Sequence, residues 1–219
     1  MQGLEPAKTL VDQAYEVILN ALCDGTFQPG ERLTQEEIAS RLNVSRQPVT
    51  HALNVLKSQG FLVQAGRRGL KVTSVDLDFL EAIYQLRSVV EPLAVKLATP
   101  KMTEKDIQEG QALVERGRAV AKSGDSKAVQ QADMDFHSFI YRLSGNPLIA
   151  DTMKLHWNHL RRGMGRVLNS GPATGIWNEH GRVLDAMSRG EADEAAELMR
   201  KHLVDAYERV CRSGAPEPA

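Results

Sequence analysis

Apolar residues in the first third of the chain recur at helical spacing in three segments. The first segment ends near Cys23, the second covers Gln35–Leu42, and the third starts after Ser45 and ends at Gln59-Gly60. Two short apolar runs follow, and the polar, glycine-bearing stretch 64–69 between them predicts a β-hairpin. Three helices, the last two joined by a short turn, followed by a hairpin are the order of a winged helix-turn-helix.

The rest of the chain keeps the helical period and loses the strand pattern. Glycine, proline and asparagine breaks divide it into six predicted helices, at 77–98, 103–122, 125–143, 147–169, 173–189 and 191–212. The predicted fold class is therefore mainly α. A winged helix-turn-helix occupies 1–75, an all-α bundle of about six helices occupies 76–213, and a short tail at 214–219 is expected to be disordered.

The composition excludes several classes of protein. The chain has 219 residues, a formal net charge of -1 and two cysteines, which are too few for a disulfide framework. It contains no apolar run of membrane-spanning length, and the first residues lack the apolar core of a signal peptide. We therefore expect a cytoplasmic protein with no membrane partner.

Charge is distributed unevenly along the chain. The stretch 38–75 contains six basic residues and no Asp or Glu, although the whole chain is nearly neutral. Such a stretch can be a solvated face or a surface for phosphates. Because it coincides with the third helix and the hairpin, a DNA-facing surface is the better interpretation. The basic residues are Arg41, Arg46, Lys57, Arg67, Arg68 and Lys71.

The third helix is the one that a helix-turn-helix places in the major groove. Arg46 can donate two hydrogen bonds to a guanine, and Gln47 can pair with an adenine edge. Thr50 can contact a thymine methyl group or a phosphate, whereas Arg41 is placed for phosphates alone. The full set of predicted DNA-binding residues is Arg41, Ser45, Arg46, Gln47, Thr50, His51, Arg67, Arg68 and Gly69.

The second part of the chain holds a candidate metal site. Asp133 and His137 are four residues apart on a predicted helix, so their side chains share one face, and His180 and His202 lie on two later helices. One carboxylate and three imidazoles suit zinc, with nickel or manganese as alternatives. An Asp and a His four residues apart on a helix can also form a hydrogen bond on its surface, so the spacing alone does not establish a metal site. The pair His156 and His159 competes with this set, but neighbouring arginines disfavour a metal there.

The first part of the chain resembles the DNA-binding domain of the GntR family of bacterial transcription regulators. The resemblance covers about 10–74 and depends on spaced positions, among them Gly25–Leu33, Asn43–Val49 and Gly60-Phe61-Leu62. It implies operator DNA as the partner. One departure is Thr50-His51, where family members often have Arg-Glu, and this departure affects any operator sequence inferred from relatives.

Residues 77–212 resemble the FCD effector domain of the FadR-type branch of that family, on segments such as Tyr84–Leu93 and Glu179-His180. The resemblance implies a divalent metal held by Asp133, His137, His180 and His202, with a carboxylate effector completing the metal shell. It also places Arg87 near the pocket, where it could pair with an organic acid. Glu91, four residues later, is the alternative partner of Arg87.

These observations predict a transcription regulator, and not an enzyme. We expect a homodimer, because helix-turn-helix proteins read paired half-sites. We expect it to be a repressor whose operator affinity is controlled by a small carboxylate at the metal site. In the alternatives, the metal itself is the signal or is purely structural, or the protein is a metal-dependent enzyme with a DNA-binding domain. The sequence contains no nucleophile elbow, Walker loop or HExxH motif, which disfavours the enzyme.

Overall fold

The computed structural model describes residues 8–66, 69–168 and 174–213. The chain divides into two compact units, Met1–Val75 and Asp76–Ala219. The predicted tail at 214–219 lies outside the described residues. Within the described ranges, no helix has both the length and the apolar character of a membrane span.

The first unit contains three helices and a small sheet. The three strands are antiparallel and lie in the order β1-β3-β2, with Arg32 opposite Lys71 and Leu62 opposite Val72. The hairpin was predicted, whereas β1 was not. The elements are α1 (Leu10–Cys23), β1 (Arg32–Leu33), α2 (Gln35–Leu42), α3 (Arg46–Ser58), β2 (Leu62–Ala65) and β3 (Gly69–Val72).

Side-chain hydrogen bonds fix the ends of the short helices. The Thr34 hydroxyl accepts from the Glu37 N–H and donates to the Glu37 carboxylate, so the sequence pair makes the first bond of a capping box. Asn43 ends α2 in the left-handed conformation at φ 52°, which Asn tolerates better than most residues. Ser45 occupies the N-cap position of α3 but makes no capping hydrogen bond with its side chain.

The core of the first unit forms where α1 and α3 pack together and the sheet covers them. Leu53, Leu56 and Phe61 are almost completely buried there. Val17 has the helical spacing of the core residues, yet its side chain is half exposed, because the buried face of α1 runs through Ala14 and Ile18. This core leaves one side of α3 in solvent.

The second unit is a bundle of helices, as the sequence predicts. Capping boxes and side-chain caps begin several of them, including Thr103 with Asp106 before α5 and Asp125 before α6. A short 3-10 turn, Thr99–Lys101, follows the first helix. The helices in the described ranges are α4 (Leu77–Ala98), α5 (Glu104–Ser123), α6 (Ser126–Ser144), α7 (Pro147–Leu168), α8 (Thr174–Ser188) and α9 (Ala192–Arg212).

Two glycines allow α5 to lie close to its neighbours. A Cβ atom at Gly117 would overlap the ring of Trp177 on α8, and one at Gly110 would lie 2.6 Å from a methyl group of Leu184. Trp177 is completely buried, so its ring has no open space into which it could move. The contact sets the position of α8, which also carries His180.

Replacing Gly117 with Ala is expected to destabilise the second unit by about 2 kcal/mol, because the added methyl group forces the rigid Trp177 ring to move. Urea unfolding followed by tryptophan fluorescence measures this unit, since Trp157 and Trp177 both belong to it. The matched control is Gly175→Ala on α8, where an added Cβ would meet nothing within 4 Å. Equal unfolding midpoints for the Gly117 variant and the wild type would contradict the close contact.

Candidate nucleic-acid interface and metal centre

Helix α3 separates an apolar face from a polar one. Its buried stripe packs into the core of the first unit, and the opposite face exposes Arg46, Gln47, His51 and Asn54. These are long or amide-bearing side chains that can donate hydrogen bonds outward. The buried stripe consists of Pro48, Val49, Ala52, Leu53 and Leu56.

A polar groove of about 700 Å³ lies between α3 and the sheet. Arg46 and Asn54 contribute from the helix, and Gln64 and Gly69 from the hairpin strands. Arg32 on β1 lines the same groove, although the sequence analysis did not select it. It was missed because Glu31, Glu36 and Glu37 surround it in sequence and place it outside the acid-free stretch.

The other predicted DNA-binding residues differ in their exposure and in whether their polar groups are already hydrogen-bonded within the protein. Arg41 and Ser45 are exposed, whereas Gly69 is buried in the sheet. The Thr50 hydroxyl donates to the Arg46 carbonyl at 2.8 Å, so this hydroxyl is used within α3. Arg67 and Arg68 lie outside the described residues.

Three of the four predicted metal ligands form a tight cluster in the second unit. His137 on α6, His180 on α8 and His202 on α9 are buried, and one nitrogen of each lies within 4.8 Å of the others. The Nε2 atoms of His180 and His202 are 3.2 Å apart. The fourth residue, Asp133, directs Oδ1 to 3.6 Å from His180 Nε2 and 3.9 Å from His137 Nε2. The structure therefore brings the donor atoms of all four residues together.

Two carboxylates, the buried one of Glu91 and the half-buried one of Glu179, hold the outer nitrogens of two of these rings. His137 Nδ1 lies 2.6 Å from Glu91 Oε2, and His202 Nδ1 lies 2.8 Å from Glu179 Oε2. A carboxylate at Nδ1 fixes the orientation of an imidazole and leaves the lone pair of Nε2 for a metal. Sequence reasoning did not assign this role to either glutamate, because each pair is brought together by the tertiary fold.

His180 is held by packing instead. Its ring stacks on Phe136 with a centroid distance of 4.4 Å, and Trp177 lies edge-on at 4.8 Å. Its Nδ1 has no hydrogen-bond partner among the described residues. Burial, together with His202 and His137, lowers the pKa of His180 well below its ordinary value. The imidazole is therefore neutral at neutral pH and can donate a lone pair.

Arg87 lies beside the cluster, is buried and forms an ion pair. Its Nε is 2.5 Å from Glu91 Oε1, and its Nη2 is 3.5 Å from His137 Nε2. Burial alone would raise the pKa of Glu91, but the Arg87 guanidinium and His137 outweigh it and hold that pKa well below its usual value. The ion pair with Glu91, one of the two roles considered for Arg87, is thus present at the edge of the metal cluster.

The competing histidine pair lies elsewhere. His156 and His159 pack edge-on against Phe79, with ring centroids at 6.2 and 5.0 Å. Within the described ranges, the group of His, Cys, Asp and Glu donors with metal-compatible spacing is His137, His180 and His202.

Both units match known protein families. The family described as "Bacterial regulatory proteins, gntR family" matches residues 10–72, and the family described as "FCD domain" matches residues 82–205. The two matches follow the division of the chain into two units.

Individual relatives agree with these matches. The chain is 28% identical to the uncharacterized HTH-type transcriptional regulator YdhC of Bacillus subtilis strain 168, over 87% of this chain and 86% of that protein. It is 27% identical to the Nta operon transcriptional regulator of Aminobacter aminovorans, over 84% of this chain and 86% of that protein. The solved structure of E. coli McbR/YncC shares the fold with a TM-score of 0.79 at 22% identity, over 94% of this chain and 99% of that one.

Proposed function

Because the chain belongs to the GntR family of DNA-binding transcription regulators, with an FCD domain as its second unit, we propose that a metal ion and a small carboxylate in this domain control its affinity for operator DNA. The regulation proposed is repression that the acid relieves. The relatives are named transcriptional regulators, so the activity is regulation and not catalysis.

One observation supports the metal site most strongly. The Nε2 atoms of three buried imidazoles and a carboxylate oxygen of Asp133 converge, and two of the imidazoles are oriented by carboxylates at Nδ1. A nitrogen-rich set with one carboxylate fits zinc and also suits nickel or manganese. The bound ion would supply a Lewis-acidic position for a carboxylate oxygen of the effector.

The arrangement of the ligands explains how occupancy could act on the rest of the domain. Asp133 and His137 belong to α6, His180 to α8 and His202 to α9, so binding an ion fixes three helices relative to one another. A ligand that prefers one arrangement of these helices shifts the population towards it. In a homodimer, such a shift would change the spacing of the two α3 helices, and operator affinity would follow.

The proposed function is tested by fluorescence anisotropy on DNA that the purified protein selects from a random library. Affinity is measured for the zinc-loaded protein, after chelation, and for the zinc-loaded protein with glycolate or acetate. A change that needs both zinc and the acid supports the proposal. A change with zinc alone would make the metal the signal, and no change in any arm would leave the metal a structural role.

Replacing Glu179 with Gln is expected to weaken zinc binding by about 10-fold to 100-fold, because the Nδ1 atom of His202 loses its charged partner. Competition against a chromophoric chelator measures the change. The control is Glu197→Gln, since Glu197 pairs with Arg200 on the exposed face of α9. Equal zinc affinities for the Glu179 variant and the control would show that the carboxylate does not support the ligand.

A further inference from the structure

The side chain of Arg32 lies across Gly69 in the small sheet of the first unit. Arg32 on β1 is paired with Lys71 on β3, and Gly69 is two residues nearer the hairpin turn on the same face of β3. A Cβ atom at Gly69 would lie 2.5 Å from Nε of Arg32 and 3.1 Å from its Nη2. The guanidinium therefore occupies the space that a side chain at position 69 would take, and it points along β3 towards the turn.

The need for space, and not the backbone conformation, explains the glycine at position 69. The φ of Gly69 is not in the left-handed region, so alanine could adopt its backbone conformation. Gly69 is nevertheless buried, and the atoms nearest to an added Cβ belong to Arg32 and to the Ala65 carbonyl. The glycine thus leaves room for Arg32 to pack on the sheet, which orders a side chain that is otherwise exposed.

The charge of Arg32 is not balanced by a carboxylate among the described residues, although three glutamates are close in sequence. Glu31 and Glu37 accept local hydrogen bonds instead, and Glu36 lines the same groove without an ion pair to Arg32. Arg46 lines this groove from α3 and also has no carboxylate partner in the described part of the chain. An unpaired arginine is ordinary on a protein surface, but two that line one groove from different elements favour an anion from outside the chain.

We infer that Arg32 binds a phosphate of the operator backbone, and that Gly69 positions it for this contact. Helix α3 is the element that enters the major groove, and Arg32 lies on a strand beside it, so Arg32 meets the edge of the DNA groove and not the bases. A guanidinium matches the geometry of a phosphate with two parallel hydrogen bonds. Gly69 is then a positioning residue that acts through Arg32. The family assignment supplies the DNA, so the inference does not depend on the proposed metal site.

The first experiment measures anisotropy of the full chain on selected operator DNA over a series of salt concentrations. We expect Arg32→Ala to bind about 10-fold more weakly at about 0.1 M salt, and to lower the slope of log affinity against log salt by about 0.9 for each chain bound. Arg32→Lys should keep the slope and lose part of the affinity, because the charge remains without the planar fork. The control is Lys8→Gln, an exposed cation of the same unit that pairs with Glu16.

An unchanged salt slope in Arg32→Ala would overturn the inference, whatever happened to the affinity, because a lost phosphate contact must change the number of ions released. A loss of discrimination between selected and scrambled DNA would also overturn it, since Arg32 would then be a base contact.

The second experiment tests the positioning role of Gly69 with a double-mutant cycle. Gly69→Ala alone should lower both the affinity and the salt slope as Arg32→Ala does, because the added methyl group displaces the guanidinium. In the Arg32→Ala background the same change should cost less than about 2-fold, since no guanidinium is left to displace. Equal losses in both backgrounds would show that Gly69 acts without Arg32, for instance through the Ala65 carbonyl, and would overturn this role. Wild-type affinity in Gly69→Ala would overturn it as well.

Discussion

Replacing His180 with Ala is expected to lower the zinc affinity of the chain by about 100-fold or more. Structural zinc sites with four ligands bind with about 10–16 kcal/mol, so one ligand accounts for about 3 kcal/mol. His180 is the most informative ligand to remove, because its Nδ1 has no partner among the described residues. Its replacement therefore removes the metal-facing nitrogen without taking away the partner of a carboxylate at Nδ1.

The measurement is zinc content after dialysis together with competition against a chelator. His137→Ala should lose zinc as well, but it also takes a partner from Glu91, so circular dichroism must show that this variant is folded. The control is His159→Ala, because His159 contacts Phe79 away from the cluster. Zinc retained at wild-type affinity in both cluster variants would rule out this site.

Replacing Arg46 with Ala is expected to weaken operator binding by about 30-fold or more. A specific contact between an arginine and a guanine is worth about 1–3 kcal/mol, and the proposed homodimer would make it twice. Arg46 is exposed at the start of α3 and lines the groove beside the sheet, so its side chain can extend into the major groove. Anisotropy on selected operator DNA and on scrambled DNA measures the loss of both affinity and specificity.

Arg41→Ala is the matched comparison for this experiment. Arg41 is an exposed arginine on α2 that is predicted to contact phosphates alone, so its loss should weaken binding to all sequences equally and reduce the salt dependence by about one unit of slope. If Arg46→Ala behaved in the same way as Arg41→Ala, with specificity unchanged, Arg46 would be a phosphate contact and not a base contact.

The sequence predicted the helices well because their signals are local. Asn43 ends α2 and the pair Thr103 and Asp106 caps α5, as their spacing indicates. Strand β1 was missed because it is two residues long, and an alternation of apolar and polar residues cannot be recognised over two positions. It is held by pairing with β3, almost forty residues later in the chain, and such pairing has no local pattern.

The same distinction applies to the metal cluster. The ligand types and the spacing of Asp133 and His137 are visible in the sequence, whereas their supporting residues are not. Glu91 is 46 positions from His137, and Glu179 is 23 positions from His202. The predicted roles of the DNA-binding and effector-binding residues remain predictions.

The residues of the metal cluster are spread along the second unit, and their positions determine when the cluster can form during synthesis. The first unit has its own hydrophobic core, and domains generally fold as units with the N-terminal one first. The cluster instead needs Glu91 from α4 and His202 from α9, so it cannot assemble until α9 has been made. A newly made chain is therefore expected to fold its DNA-binding unit before the proposed metal site can form. The delay between these two events follows from the order of the two units in the chain.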